Sequence, residues 1–333
     1  MRENVINKNS TDEGRIKKNR MDEVAVLIPC YNESKTIEKV VTDFRRELPD
    51  AVIYVYDNNS TDNTVEIAKQ AGAVVRHEYQ QGKGNVVRAM FKDIDADVYI
   101  LVDGDDTYPA DEVHKLIQPV LEGCADMVIG DRLSNGTYFE ENKRGFHGFG
   151  NNLVKNLINF LFKSNINDIM TGYRVYSRRF VKNMPVMSSG FQIETEMTIF
   201  SLVYRMKLVE IPITYRDRPA GSESKLNTFS DGFKVLVKLF DLFKNYRPML
   251  FFSCISILFV TLGLLIGIPV ITEFVKTAFI TKIPSAVLAA SLFIIAFLLF
   301  MVGIILDAIK NQMCILFECQ LNQFEYQEKC KVR

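Results

Sequence analysis

Two runs of the chain, residues 249–270 and 283–306, contain no charged side chain, and this feature narrows the fold more than any other. Each exceeds the roughly 20 apolar residues that a helix needs to cross about 30 Å of hydrocarbon. A backbone in hydrocarbon must satisfy its own N–H and C=O groups, which a helix does. The link between the runs is short and carries Glu273, Lys276 and Lys282. Lys234, Lys238, Lys244 and Arg247 precede the first run, and Lys310, Lys329, Lys331 and Arg333 follow the second. Basic flanks stay on the cytoplasmic side. Residues 248–306 are therefore expected to form a two-helix transmembrane hairpin in the cell membrane, with a cytoplasmic tail at 307–333 and the large N-terminal part also cytoplasmic.

From residue 24 to about 130 the pattern is different. Short β-branched runs at 24–29, 51–57, 73–77, 97–102 and 125–130 alternate with helical stretches near 34–48, 61–71, 84–94 and 111–122. This is the signature of repeated β-α-β units, and so of an α/β domain on a mostly parallel sheet. Residues 60–64 offer N-cap chemistry for the second helix. Ligands of such sheets sit at the carboxyl ends of the strands. Polar side chains gather there: Tyr31, Asn32 and Glu33 after the first strand, Asp57, Asn58 and Asn59 after the second, and residues 103–106 after the fourth. The domain is expected over 23–223, behind a flexible polar tail at 1–22. Over 224–247, Leu226, Phe229, Phe233, Leu236, Val237, Phe240 and Phe243 recur at steps of three and four, with Asp231, Lys234, Lys238, Asp241 and Lys244 on the other face. That spacing predicts an amphipathic interfacial helix suited to an anionic bilayer surface.

The 40 basic and 40 acidic residues cancel, so no overall field points to nucleic acid. The six cysteines form no CxxC pair and have no histidine at zinc spacing, which fits reduced thiols with structural roles. His77, His114 and His147 form no recognisable set and read as structural. The acidic cluster is the chemical signal. Asp103, Asp105 and Asp106 fall within four residues directly after an apolar strand, where carboxylates repel one another unless a cation joins them. Hard Mg²⁺ or Mn²⁺ suits such oxygens and keeps positions open for substrate phosphates.

The segments IPCYNE (28–33), YDNNSTDNT (56–64), GKGNVVRAMF (82–91), LVDGDDTYP (101–109), IGDR (129–132), DIMTGYRVYSRR (168–179), GFQIETEM (190–197) and ITYRDRPAGSESKL (213–226) occur in this order and spacing. Together they resemble family 2 glycosyltransferases of the polyprenyl-phosphate type, such as dolichol-phosphate mannose synthases and bacterial undecaprenyl-phosphate glucosyltransferases. The resemblance covers residues 24 to about 225, and the C-terminal hairpin is similar to the two-span anchor of the glucosyltransferase branch. It implies a GT-A type nucleotide-sugar-binding domain. Pro29, Tyr31 and Glu33 would line the base and ribose pocket, Asp57 would hold the base, and Lys83, between two glycines that let the backbone approach phosphates, would lie near the nucleotide. Asp103 would contact ribose or metal, and Asp105 would be the principal metal ligand. Thr107 stands where the family often has Gln, which leaves the third ligand open, with Asp106 a candidate. Arg132, Arg174, Arg216, Arg218 and Lys225 match segments that bind the acceptor and the diphosphate. Glu194, with Asp105 and Arg132 in the catalytic set, stands where relatives place a base; Glu194 and Glu196 either orient groups or serve the first turn of a helix.

The implied reaction is inverting transfer of a hexose from a nucleotide sugar to a polyprenyl phosphate. UDP-glucose is the first choice of donor and undecaprenyl phosphate the acceptor; UDP-N-acetylglucosamine, another UDP-hexose and GDP-mannose remain open. A processive polysaccharide synthase is disfavoured because the chain has no Trp and hence no Gln-x-x-Arg-Trp motif. A silent membrane-held nucleotide-sugar sensor is the alternative from another class. Two helices per chain make a small lipid-embedded core, so a homo-oligomer, with a tetramer as one form, is expected.

Overall fold

The computed structural model describes residues 24–134, 155–216, 237, 240, 241 and 243–332. The chain divides into two compact units, one of 1–143, 167–197 and 206–223, the other of 144–166, 198–205 and 224–333.

The first unit carries a seven-stranded sheet: β1 (Val24–Cys30), β2 (Val52–Asp57), β3 (Val74–His77), β4 (Val98–Leu101), β5 (Met127–Asp131), β6 (Arg174–Ser177) and β7 (Leu208–Pro212). Its order is β3-β2-β1-β4-β6-β5-β7. The first five strands fall where the β-branched runs predict them. All pairings are parallel except those of β6, which runs antiparallel to both β4 and β5. The helices α1 (Ile37–Glu47), α2 (Thr64–Gln70), α3 (Lys83–Asp93) and α4 (Val113–Leu121) follow their strands as expected, and α5 (Arg178–Asn183) and α6 (Ile193–Val203) come later.

Strand β1 lies between β2 and β4, so the connections diverge on either side of it and open a crevice at its carboxyl end. The apolar face of α1, formed by Ile37, Val40, Val41 and Phe44 at helical spacing, closes over this part of the sheet. Truncating the fully buried Phe44 would cost about 3–5 kcal/mol. The cap of α2 differs in detail from the prediction. No side chain at Asn63 caps it; Asp62 instead accepts from the backbone N–H and hydroxyl of Thr64.

The second unit contains α7 (Pro248–Thr277) and α8 (Ile283–Val332), both long and apolar enough to cross a membrane. They pair through small residues. Ser256 Oγ donates to Ala296 O at 2.7 Å, and Cβ atoms added at Gly263 or Gly303 would press on Phe293 or Phe252, while one at Gly267 would just touch Ala289. Close backbone approach of this kind drives helix pairing where lipid removes the hydrophobic driving force.

Two boundaries differ from the sequence expectation. The tail expected at 307–333 is, through Val332, a continuation of α8. Its Phe317 packs on Phe200 and Tyr204, with ring centroids 5.4 and 4.1 Å away, and this groups 198–205 with the C-terminal unit rather than with a contiguous 23–223 domain. Of the amphipathic helix at 224–247, residues 237, 240, 241 and 243–246 are described and are helical, and Phe240 and Phe243 stack edge-on against Phe251. The rest of that segment and the tail at 1–22 lie outside the described residues.

Candidate active site

Three loops meet at the carboxyl ends of β1, β2 and β4, and each holds a non-glycine residue in left-handed backbone conformation: Asn32 (φ 54°), Asn59 (φ 65°) and Asp106 (φ 59°). Such residues cost on the order of 1 kcal/mol each and persist where surrounding bonds impose them. Asn32 N–H donates to Ser60 Oγ at 2.9 Å, Asn32 Oδ1 accepts from Thr61 N–H at 2.7 Å, and Glu33 N–H donates to Thr64 Oγ1 at 2.9 Å. The first two loops are thereby stitched together.

Asp57 closes β2 and is buried. Its carboxylate accepts from Ser60 N–H and lies 2.9 Å from Nδ1 of His77, the last residue of β3. The other ring nitrogen faces Asn59 Oδ1 at 3.2 Å, and the Tyr79 ring stands edge-on at 4.5 Å. His77, read from the sequence as structural, is thus a structural partner of Asp57 within the mouth. Its place at the carboxyl end of a predicted strand was the available signal. Pro29 lies in β1, Tyr31 is partly exposed beyond it, and Glu33 is buried with its Cγ near Gly104.

The acidic turn after β4 sits over Cys30. A Cβ at Gly104 would meet the Cys30 sulfur, and the thiol is pushed well up by burial and then by Glu33, Asp57, Asp103 and Asp105. The fields of four expected pocket carboxylates thus reach the Cys30 thiol. Asp103 Oδ1 lies 2.6 Å from Lys83 Nζ, which lies 2.6 Å from Glu194 Oε1 at the start of α6. Burial favours the neutral lysine, but the charges of Asp103 and Glu194 outweigh it and hold Lys83 protonated. Asp105 Oδ1 accepts from Thr107 N–H at 3.2 Å and Thr107 Oγ1 at 2.6 Å. Asp106 pairs with Lys39 at 2.6 Å. Glu196 accepts from Ser188 N–H at 2.8 Å, a loop-fixing bond.

The glycines around Lys83 also let one stretch of backbone approach another. A Cβ at Gly82 or Gly84 would collide with the carbonyl of Ser189 or Ser188, and Gly84 and Asn85 donate their N–H groups to Ser189 O. Gly172 likewise leaves room for the Asp103 carboxylate.

Arg132 is held by a fork of bonds to Asp168, Nε to Oδ2 at 2.8 Å and Nη2 to Oδ1 at 3.0 Å. Its Nη1 reaches Tyr108 Oη at 3.4 Å, and the Tyr215 ring stands 5.6 Å away. Glu210 on β7 in turn accepts from the N–H groups of Asn167 and Asp168. Arg174 is a correction. It is fully buried in β6, and its guanidinium donates to the carbonyls of Thr171 at 3.1 Å and Ile169 at 2.5 Å, so it organises the 169–171 loop rather than meeting an acceptor phosphate. Arg216 anchors its N–H on Thr107 O at 3.0 Å and turns a partly exposed guanidinium toward Asp111. Arg218 and Lys225 lie outside the described residues.

The donor chemistry suits a hard divalent cation. Asp103 and Asp105 supply carboxylate oxygens from one turn, and such an ion readily completes its shell with phosphate and water oxygens. Among the described residues, no three of Asp, Glu, His and Cys converge as a ready-made metal site.

Residues 25–184 match the model of glycosyl transferase family 2. The chain is 34% identical over 295 residues to glycosyltransferase AglJ of Haloferax volcanii, covering 87% of this chain and 94% of that one. It is 31% identical over 211 residues to the dolichyl-phosphate hexose transferase of the same organism, covering 63% and 90%. The fold resembles glucosyl-3-phosphoglycerate synthase of Mycobacterium tuberculosis, solved with Mn²⁺, uridine diphosphate and phosphoglyceric acid, at a TM-score of 0.54 and 18% identity over 66% of this chain and 78% of that one. The chain belongs to glycosyltransferase family 2, among relatives of the polyprenyl-phosphate type.

Proposed function

We propose that this enzyme transfers a hexose, with inversion, from a nucleotide sugar to a polyprenyl phosphate at the cytoplasmic membrane face. UDP-glucose is the favoured donor and undecaprenyl phosphate the favoured acceptor. The observation that carries this reading is the convergence of Asp57, Asp103, Asp105, Lys83 and Glu194 at one strand mouth, in a chain with two helices apolar enough for a bilayer. The relative named for dolichyl-phosphate hexose transfer supports the acceptor class.

Asp57, fixed by His77, holds the base, and Asp103 and Asp105 hold Mg²⁺ or Mn²⁺. The ion supplies charge neutralisation for the departing diphosphate. Arg132, locked in place by Asp168, holds the acceptor phosphate through the guanidinium's charge. That phosphate oxygen is already anionic, so the reaction needs positioning and charge stabilisation more than a strong base. Glu194 therefore acts on orientation through Lys83. The protein works as a homo-oligomer.

The test is a panel of nucleotide sugars, including GDP-mannose, offered with undecaprenyl phosphate and Mn²⁺ to the purified enzyme, with the lipid product identified by mass. A hexosyl phospholipid from a UDP-sugar is expected. A product only from GDP-mannose would reassign the donor, and none from any donor would favour a silent nucleotide-sugar sensor.

A further inference from the structure

The side chains of Asp103 and Glu194 meet across a single ammonium. Lys83 Nζ lies 2.6 Å from each, and the lysine side chain is only 8% exposed. Lys83 is also fixed from behind. It opens α3 between two glycines packed on the backbone of Ser188 and Ser189; Gly82 N–H donates to Asn58 Oδ1 at 2.7 Å and Gly84 N–H to Ser189 O at 3.0 Å. Ser188 N–H is bound to Glu196, two residues beyond Glu194 on α6. The ammonium and one of its two carboxylates are thus tied to the same short loop.

We propose that Lys83 is a resident counter-ion that keeps a divalent cation off Asp103 until a nucleotide diphosphate arrives, so that metal and nucleotide enter as a coupled pair. The inference rests on the reading of Asp103 and Asp105 as the cation's holders. With the ammonium in place, the three groups carry one net negative charge instead of the two that Asp103 and Glu194 would present alone. A divalent ion approaching Asp103 alone meets Lys83 at close range, and the nearly buried ammonium is itself poorly screened by solvent. The other acidic residues of the turn are likewise engaged, Asp106 by Lys39 and Asp105 by Thr107, and no three ligands stand gathered among the described residues. A diphosphate changes the balance, because its oxygens add enough negative charge for both cations to remain.

The experiment is a Mn²⁺ titration of the purified full-length enzyme in detergent, reading free Mn²⁺ by electron paramagnetic resonance, with and without UDP. Wild type should bind Mn²⁺ at least tenfold more tightly with UDP. Lys83→Met and Lys83→Gln should bind Mn²⁺ alone at least tenfold more tightly than wild type does, and should gain less from UDP. Gln offers an uncharged N–H donor in place of the ammonium, so it carries the comparison if the Met variant does not fold, as judged by circular dichroism. Variants that bind Mn²⁺ alone no better than wild type, while wild type binds it with UDP, overturn the counter-ion role and leave the metal reading standing. Wild type that binds Mn²⁺ equally with and without UDP also overturns it. Failure of every protein to bind Mn²⁺ with UDP overturns the metal reading and this inference together.

Discussion

Asp168 shows how much of this site depends on pairs rather than on single residues. It is completely buried, and it receives three bonds from Arg132, one from the backbone and two from the guanidinium. Removing one partner of such a pair leaves an uncompensated charge at a cost of about 3–5 kcal/mol. Asp168→Ala should therefore lower the thermal midpoint measurably and reduce transfer at least tenfold, with UDP affinity near wild type; unchanged transfer would show that Arg132 needs no anchor. Glu210 adds a pH dependence. Burial raises its folded pKa above the ordinary 4.5, against the opposing bonds from Asp168 and Asn167. A raised acid pKa contributes stability that is full below the unfolded value and is lost as pH rises through the folded one. Glu210→Gln should gain stability relative to wild type from about pH 4.5 upward, read as the difference in melting temperature across pH 4 to 8; a constant difference would refute the assignment. Residue roles were only partly legible in the sequence. The carboxylates Asp57, Asp103 and Asp105 announce themselves by position after strands. The His77–Asp57 pair joins two strands that the sequence cannot align, and Arg174 looks like a phosphate ligand until its burial is known.

At the scale of elements, β1, β2, β4 and β5 were readable because largely buried strands are written as apolar, β-branched runs, and the exposed β3 was readable from its paired valines Val74 and Val75. The antiparallel β6 was not, since four residues inside a motif carry no periodicity. The length of α8 was hidden for a related reason: beyond residue 306 charged residues return and end the apolar run, although the helix continues. The glycines of α3 give the sharpest test at this scale. Replacing a helical Gly by Ala gains at most about 1 kcal/mol of helix propensity, and Gly84 stands in the first turn of α3. At Gly84, however, the new methyl would collide with the Ser188 carbonyl, a backbone atom that cannot rotate away, and overpacking of this kind costs about 1–3 kcal/mol. The collision should win. Gly84→Ala is expected to lower the melting temperature and to displace Lys83, seen as lost transfer; a more stable, fully active variant would mean that the 188–189 loop moves freely.

For the whole molecule, α8 poses a problem of length that settles into a prediction. Its 50 residues extend about 75 Å at a rise of about 1.5 Å each, whereas hydrocarbon spans about 30 Å. A bilayer crossed by this helix would leave more than half of it outside the hydrocarbon core. The charge pattern says which half: 283–306 is uncharged, while Asp307, Lys310, Glu318, Glu325, Glu328 and Lys329 follow it. The helix α7 enters behind Lys244 and Arg247 and is joined to α8 by residues 278–282. Basic flanks on both outer ends and a short connection favour cytoplasmic ends with the connection outside. Labelling can check this in a background whose six native cysteines are replaced, into which a single cysteine is restored at 330 or introduced as Ile280→Cys. A membrane-impermeant maleimide added to intact cells should label position 280 and spare Cys330, which should react only after permeabilisation. Labelling of Cys330 in intact cells would place the C-terminal helix outside, and with it would remove the common cytoplasmic compartment that the proposed nucleotide-sugar chemistry requires.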